Sequence, residues 1–173
     1  MFNKWADRSF DFDYDFSLYP KFISRLNETP TILKSLITNI PERIFKIKHE
    51  NEWTIQENVG HLISVDYLFV ARLDEYEAGE DRLSPADMSG SSTSKENYNS
   101  DEMQNLLEKF AKNRNNYVLR LQNVDSALFN RSAWHPRLEK QMRLSDMLFF
   151  QAEHDDHHLN KIKYLQLSTS KYT

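Results

Sequence analysis

Residues 53–73 read WTIQENVGHLISVDYLFVARL, and this stretch decides the fold. Thr54 followed three positions later by Glu57 is a capping box. The hydroxyl accepts a backbone N–H of the first turn, and the carboxylate accepts the N–H of the cap. Beyond it, Ile55, Val59, Leu62, Val65, Phe69 and Leu73 all fall within about 160° of His61 on one side of a helical wheel. A helix is expected from Thr54 to about Ala78, where Gly79 supplies the left-handed residue that ends it.

The same period recurs on either side. Phe22, Ile23, Leu26, Leu33, Leu36 and Ile37 predict a first helix from Tyr19 to Ile40, with Pro30 expected to kink or break it near Glu28. A third helix is predicted from Ser100 to Gln122, offering Met103, Leu106, Leu107, Phe110, Tyr117, Leu119 and Leu121 for burial. A fourth runs to Leu167, with Ser145 as its cap. Between the second and third lie residues 79–98, GEDRLSPADMSGSSTSKENY, with two of the chain's three glycines and no apolar period. Loops of this length in compact domains are functional or disordered. Residues 131–143 suggest a short extended excursion. Residues 1–18 read as an irregular arm whose Trp5, Phe10, Phe12 and Phe16 pack onto the body, and 168–173 as a frayed tail. The expectation is one all-α domain over 1–173, a four-helix bundle.

Composition agrees. Only 3 glycines and 5 prolines in 173 residues leave long helices uninterrupted. The chain has no cysteine, which excludes a disulfide scaffold, a thiolate zinc site and a cysteine nucleophile. A net charge of −4, with acids and bases interspersed, carries no nucleic-acid footprint. No apolar run approaches the ~18 residues of a membrane span, and MFNKWADRSFDFDYDF lacks the apolar centre of a secretory signal. A soluble cytoplasmic protein is expected.

Three of the six histidines lie in residues 144–165, LSDMLFFQAEHDDHHLNKIKYL. On a helical wheel His158 falls inside the apolar arc, His154 at its edge, and His157 on the side expected to face solvent. Imidazoles at i and i+4 can share one cation; a hydrogen-bonded pair of core histidines is the competing reading. His61 sits on the margin of its own apolar arc. With His154 and His158 it makes a three-nitrogen site with open positions, the pattern of catalytic rather than closed structural metal centres. Zn²⁺, Ni²⁺, Co²⁺ and Fe²⁺ all accept imidazole. Glu57 is a candidate base or outer hydrogen-bond acceptor beside its capping role, and Gln151 a candidate partner for a bound water. His49 and His135 are expected exposed in loops. Asp66 and Asp155 fall on apolar arcs and need partners; Arg72 and the basic residues of the fourth helix are the expected mates.

The string Trp53-Thr54-Ile55-Gln56-Glu57-Asn58-Val59-Gly60-His61-Leu62, continued through Asp66 to Arg72-Leu73, resembles the second-helix motif of the DinB/YfiT-like superfamily. LSDMLFFQAEHDDHHLNKI is similar to that family's closing motif, and the likeness spans about residues 20–167. The resemblance implies an up-down-down-up bundle, a divalent metal on His61, His154 and His158, and a small-molecule substrate. It also implies hydrolase or thiol S-transferase activity, the latter using a low-molecular-weight thiol, and a homodimer. With no cysteine in the chain, any thiol nucleophile comes from outside. Two rivals remain at this stage. One is an HD-type phosphohydrolase using His154-Asp155; the other is a non-catalytic binding or stress-response module, stabilised by metal or without one.

Overall fold

The computed structural model describes residues 4–49, 52–88 and 90–169. Its elements are α1 (Tyr19–Thr38), α2 (Ile55–Ala78), a short α3 (Ser91–Lys95), α4 (Met103–Gln122), a hairpin of β1 (Ser132–His135) and β2 (Lys140–Arg143), and α5 (Leu144–Thr169). The capping box forms as expected: Glu57 N–H donates to Thr54 Oγ1 at 3.0 Å, and Thr54 N–H to Glu57 Oε2 at 2.7 Å. Gly79 closes α2 with φ +86°. No helix among the described residues is long and apolar enough to cross a membrane.

Side-chain pairings give the helix directions. Along α1 and α5, Arg25 meets Glu153 and Asp156, and Gln166 reaches Asn39, so these two run parallel. Along α2 and α5, Asn58 meets His158 while Asp66 meets Gln151, an antiparallel order. Along α2 and α4, Asp66 meets Arg114 and Asp74 meets Arg120, which is parallel. The bundle is therefore up-down-down-up.

This topology explains the long loop. Two parallel helices cannot be joined by a tight turn, and α2 alone is roughly 36 Å long. Residues 79–88 and 90–102 run back along the bundle and are anchored on the way. Leu83 N–H donates to Trp134 O and Trp134 N–H to Asp81 O, at 3.0 and 2.8 Å. Leu83, Thr93 and Tyr98 are buried. The segment is thus more built than its composition implied, and it includes α3. Tyr98 lies so close to α2 that a Cβ on Gly60 would stand 2.1 Å from its Cγ. Gly60→Ala should therefore cost about 1–3 kcal/mol of stability through overpacking. Urea unfolding reads this directly, and a loss below about 0.5 kcal/mol would mean that the ring yields freely.

The core falls into two apolar clusters. One holds Leu26, Phe69, Tyr117 and Met147; the other holds Leu33, Ile63, Phe110 and Leu159. Between them lies a buried polar layer to which every long helix contributes: Thr29 from α1, Asp66 from α2, Arg114 from α4, and Asp155 and Gln151 from α5. Arg114 Nη2 donates to Asp66 Oδ1 at 2.7 Å, and Nη1 to Asp155. Thr29 Oγ1 donates to Asp155 Oδ2 at 3.1 Å. The expected mate Arg72 lies elsewhere. Arg114 takes its place because it falls on the apolar stripe of α4, four residues after Phe110 and three before Tyr117.

Arg114 also accounts for a second difference. α1 passes through Pro30 without a break. Proline removes the N–H that would serve Leu26 O, and Arg114 Nη1 donates to that carbonyl at 3.1 Å. Three smaller readings are corrected. α5 begins at Leu144, and its first turn is closed by Asp146, which accepts Arg143 N–H at 2.8 Å; Ser145 Oγ is buried without a partner. Leu119 is exposed and Val118 buried, since Val118 lies on the inner stripe of α4. The ordered turns of α4 start at Met103, after a 3-10 turn at Tyr98–Ser100.

The arm packs as expected. The Trp5 and Phe10 rings lie 5.0 and 4.9 Å from Phe150, and Lys140 Nζ and Arg143 Nη2 bond the carbonyls of Phe10 and Phe12.

Candidate metal centre

α2 and α5 bring His61, His154 and His158 together, with one nitrogen of each within 4.8 Å of the others. His61 Nε2 and His154 Nε2 are 3.3 Å apart. Two nitrogens bound tetrahedrally to one ion at 2.0–2.1 Å would be separated by about 3.3 Å, so this spacing fits a shared cation. The donor set is all imidazole, which suits a borderline transition ion rather than Mg²⁺ or Ca²⁺.

Neighbouring groups fix the rings. Asn58 Nδ2 donates to Thr54 O at 2.8 Å, which leaves its Oδ1 as the acceptor for His158 Nδ1–H at 2.9 Å. That tautomer exposes the Nε2 lone pair of His158. On His61, Nδ1 meets Thr93 Oγ1 at 2.9 Å. The Trp53 ring lies 4.5 Å from His61. Burial, helped by the His157 charge, pushes His61 down to about 4; burial first, then the His61 charge on His154 and the His154 charge on His158, push these two well below the usual imidazole value. All three imidazoles are therefore neutral near pH 7.

Glu57 and Gln151 are engaged elsewhere. Glu57 holds the cap of α2 and lies 3.5 Å from Lys48 Nζ. Gln151 Nε2 donates to Asp66 Oδ1 at 3.1 Å, while its Oε1 is buried without a partner. Neither is among the described residues that line the cavity at the site. His154 Nδ1 is also buried without a partner.

Two residues here were missed in the sequence. Asn58 sits three before His61, inside the same apolar arc, so the wheel already contained it. Thr93 comes from a segment without periodicity, and nothing local marks it. Other histidines depart from expectation. His157 is half-buried, with Trp5 of the arm 5.7 Å from its ring. His135 is buried in β1 against Arg72. His49 Nε2 bonds Thr169 Oγ1 at 2.8 Å.

The three histidines stand in the wall of a cavity of about 580 Å³. The DinB superfamily profile matches residues 25–162. The chain belongs to the DinB superfamily. Among solved DinB-like folds, it is similar to YfiT from Bacillus subtilis, described as a probable metal-dependent hydrolase with an unusual four-helix bundle topology. Identity is 18%, with a TM-score of 0.78 over 94% of each chain. An uncharacterised protein from Clostridium difficile 630 shares 18% identity at a TM-score of 0.66, covering 84% of this chain and 94% of that one. A protein from Streptococcus pneumoniae shares 13% at 0.62, covering 91% and 93%. These likenesses are in fold. No curated protein sequence matches the chain.

Proposed function

We propose that the chain is a metal-dependent enzyme that holds one divalent transition ion, Zn²⁺, Ni²⁺, Co²⁺ or Fe²⁺, on His61, His154 and His158. Its task is to activate water or a low-molecular-weight thiol against an electrophilic small molecule, as a hydrolase or S-transferase. The observation that carries the reading is the convergence of three neutral imidazoles in the wall of a cavity large enough for a substrate. A closed structural site would need a fourth protein ligand, and the cluster comprises three residues among those described. When bound, the ion supplies Lewis acidity. Asn58 and Thr93 orient two of the rings, and Trp53 and the arm's Trp5 shield the site from bulk water. Glu57 anchors the helix end that carries His61. Gln151 holds Asp66 through its amide N–H and acts on the site through the polar layer rather than as the partner of a bound water.

Elemental analysis of protein purified without a metal-affinity column should find about one equivalent of transition metal. His61→Ala and His154→Ala should weaken binding by more than about 100-fold, and Asn58→Leu by about 10–100-fold, the usual loss when an outer hydrogen bond to a ligand is removed. Full loading of His61→Ala would overturn the site. If chelation lowered the unfolding midpoint while wild-type protein showed no metal-dependent turnover across hydrolase and thiol-transfer assays, a non-catalytic role would replace the enzymatic one.

A further inference from the structure

The cavity wall beyond Trp5 and Phe150 is cationic. His61, Val65, Leu68, Phe69 and Arg72 form one lining stripe along α2, and eleven residues of helix place Arg72 roughly 16 Å from the level of His61. Arg72 is buried; its Nε and Nη2 donate to Ser84 O at 3.1 and 2.7 Å. Arg137 stacks over Trp5 and Phe150, with its guanidinium carbon 5.8 and 5.6 Å from the ring centres, and its buried Nη2 has no hydrogen-bond partner. Neither arginine makes a salt bridge among the described residues. The acids nearby hold other donors: Glu75 accepts from Ser84, Glu52 pairs with Lys161 at 2.6 Å, and Asp87 accepts from Ser91.

His135 sharpens the imbalance. Its Nδ1 faces the N–H of Leu138 and its Nε2 faces Arg72 Nη1, both at 3.2 Å. Both neighbours are donors only, whereas a neutral imidazole has one lone pair and one N–H. Whichever nitrogen carries the proton, one donor points at another. Burial, then the Arg72 and Arg137 charges, hold His135 down to about 3, and burial draws Arg72 down to about 10. Around His135 the described donors and positive charges outnumber the acceptors.

We infer that Arg72, Arg137 and His135 form a carboxylate-binding subsite, and that the substrate has an anionic end here, an apolar part against Val65, Leu68 and Phe69, and its reacting group at the histidines, which Trp5 separates from Arg137. The guanidinium fork matches a carboxylate in two parallel hydrogen bonds, and an oxyanion supplies the acceptor that His135 and Arg137 lack. The subsite stands on its own geometry; only the placing of the reacting end rests on the metal-dependent reading.

Calorimetry with octanoate and octan-1-ol tests it, on protein as purified and on the Arg137→Met and His154→Ala variants. Octanoate should bind at least about tenfold more tightly than the alcohol. Arg137→Met, which keeps the stacking stem and lies at the half-exposed edge, should erase that preference with an unchanged unfolding midpoint. His154→Ala should retain it. Equal binding of acid and alcohol to the wild type would overturn the subsite. So would a preference that survives Arg137→Met but disappears with His154→Ala; that result seats the carboxylate at the histidines and leaves the metal reading intact. Conversely, a preference dependent on Arg137 in protein that loads no metal would support the subsite and refute the metal centre. Displacement of octanoate by inorganic phosphate at lower concentration than by acetate would overturn the carboxylate assignment.

Discussion

Arg114→Met is expected to lower the unfolding free energy by about 3–5 kcal/mol, the usual result of removing one partner from a buried ion pair. The guanidinium is fully buried and bonds Asp66, Asp155 and the Leu26 carbonyl. Its removal leaves two carboxylates in an apolar interior with Thr29 and Gln151 as their side-chain donors among the described residues, and it orphans the carbonyl that Pro30 cannot serve. Urea unfolding at pH 7 measures the loss. Adding Asp66→Asn and Asp155→Asn to Arg114→Met should recover much of it, because neutral amides cost less to bury than unpaired charge. A single-variant loss under about 1 kcal/mol would show that water or a repacked side chain replaces the guanidinium. The layer also sets the height of α2 against α5. A milder substitution that preserves folding should therefore weaken metal affinity without touching a ligand.

Acid should destabilise the metal-stripped protein well before ordinary carboxylates titrate. Folding holds His61 near 4 and His135 near 3, against about 6.5 in the unfolded chain. The unfolded state therefore binds more protons through this window. The stability due to these neutral rings is complete above pH 6.5 and is lost as pH falls toward the folded values. By pH 5 each of the two rings removes about 2 kcal/mol, and His154 and His158 act in the same direction. Asp66 opposes them. Burial, outweighing the pull of Arg114, raises it to about 6, so the folded state gains its proton first and recovers roughly 1 kcal/mol by pH 5. The net expectation is a fall of at least about 3 kcal/mol between pH 7 and pH 5 in urea unfolding. A flat profile over that range would mean that the histidines are hydrated in the folded protein.

Much of this was legible in the sequence because it depends on neighbours along one helix. The capping box at Thr54 and Glu57, the close of α2 at Gly79, and the inward faces of His61, His154 and His158 follow from local geometry with a period of 3.6 residues. Arg114 and Asn58 also fall on the inward arcs of their helices, but nothing in the sequence singled them out, because their importance shows only once their partners are known. Composition misled where a backbone crosses other elements. Residues 79–98 lack periodicity because their buried side chains answer to α2 and β1, not to one another. Pro30 breaks a hydrogen bond, but the acceptor it frees is satisfied from α4.

The sequence alone settled that four long helices form, and that each turns one apolar face inward with a few polar residues set into it. Which polar residue meets which was decided only by the tertiary structure. The placement of Arg114 between Asp66 and Asp155, of Thr93 against His61, of Trp5 over His157, and of His135 beside Arg72 depends on the relative height and direction of elements far apart in the chain. Periodicity specifies a face, whereas contact requires the register between faces. That register arises when the bundle closes around its polar layer, as two apolar clusters and one guanidinium are buried together.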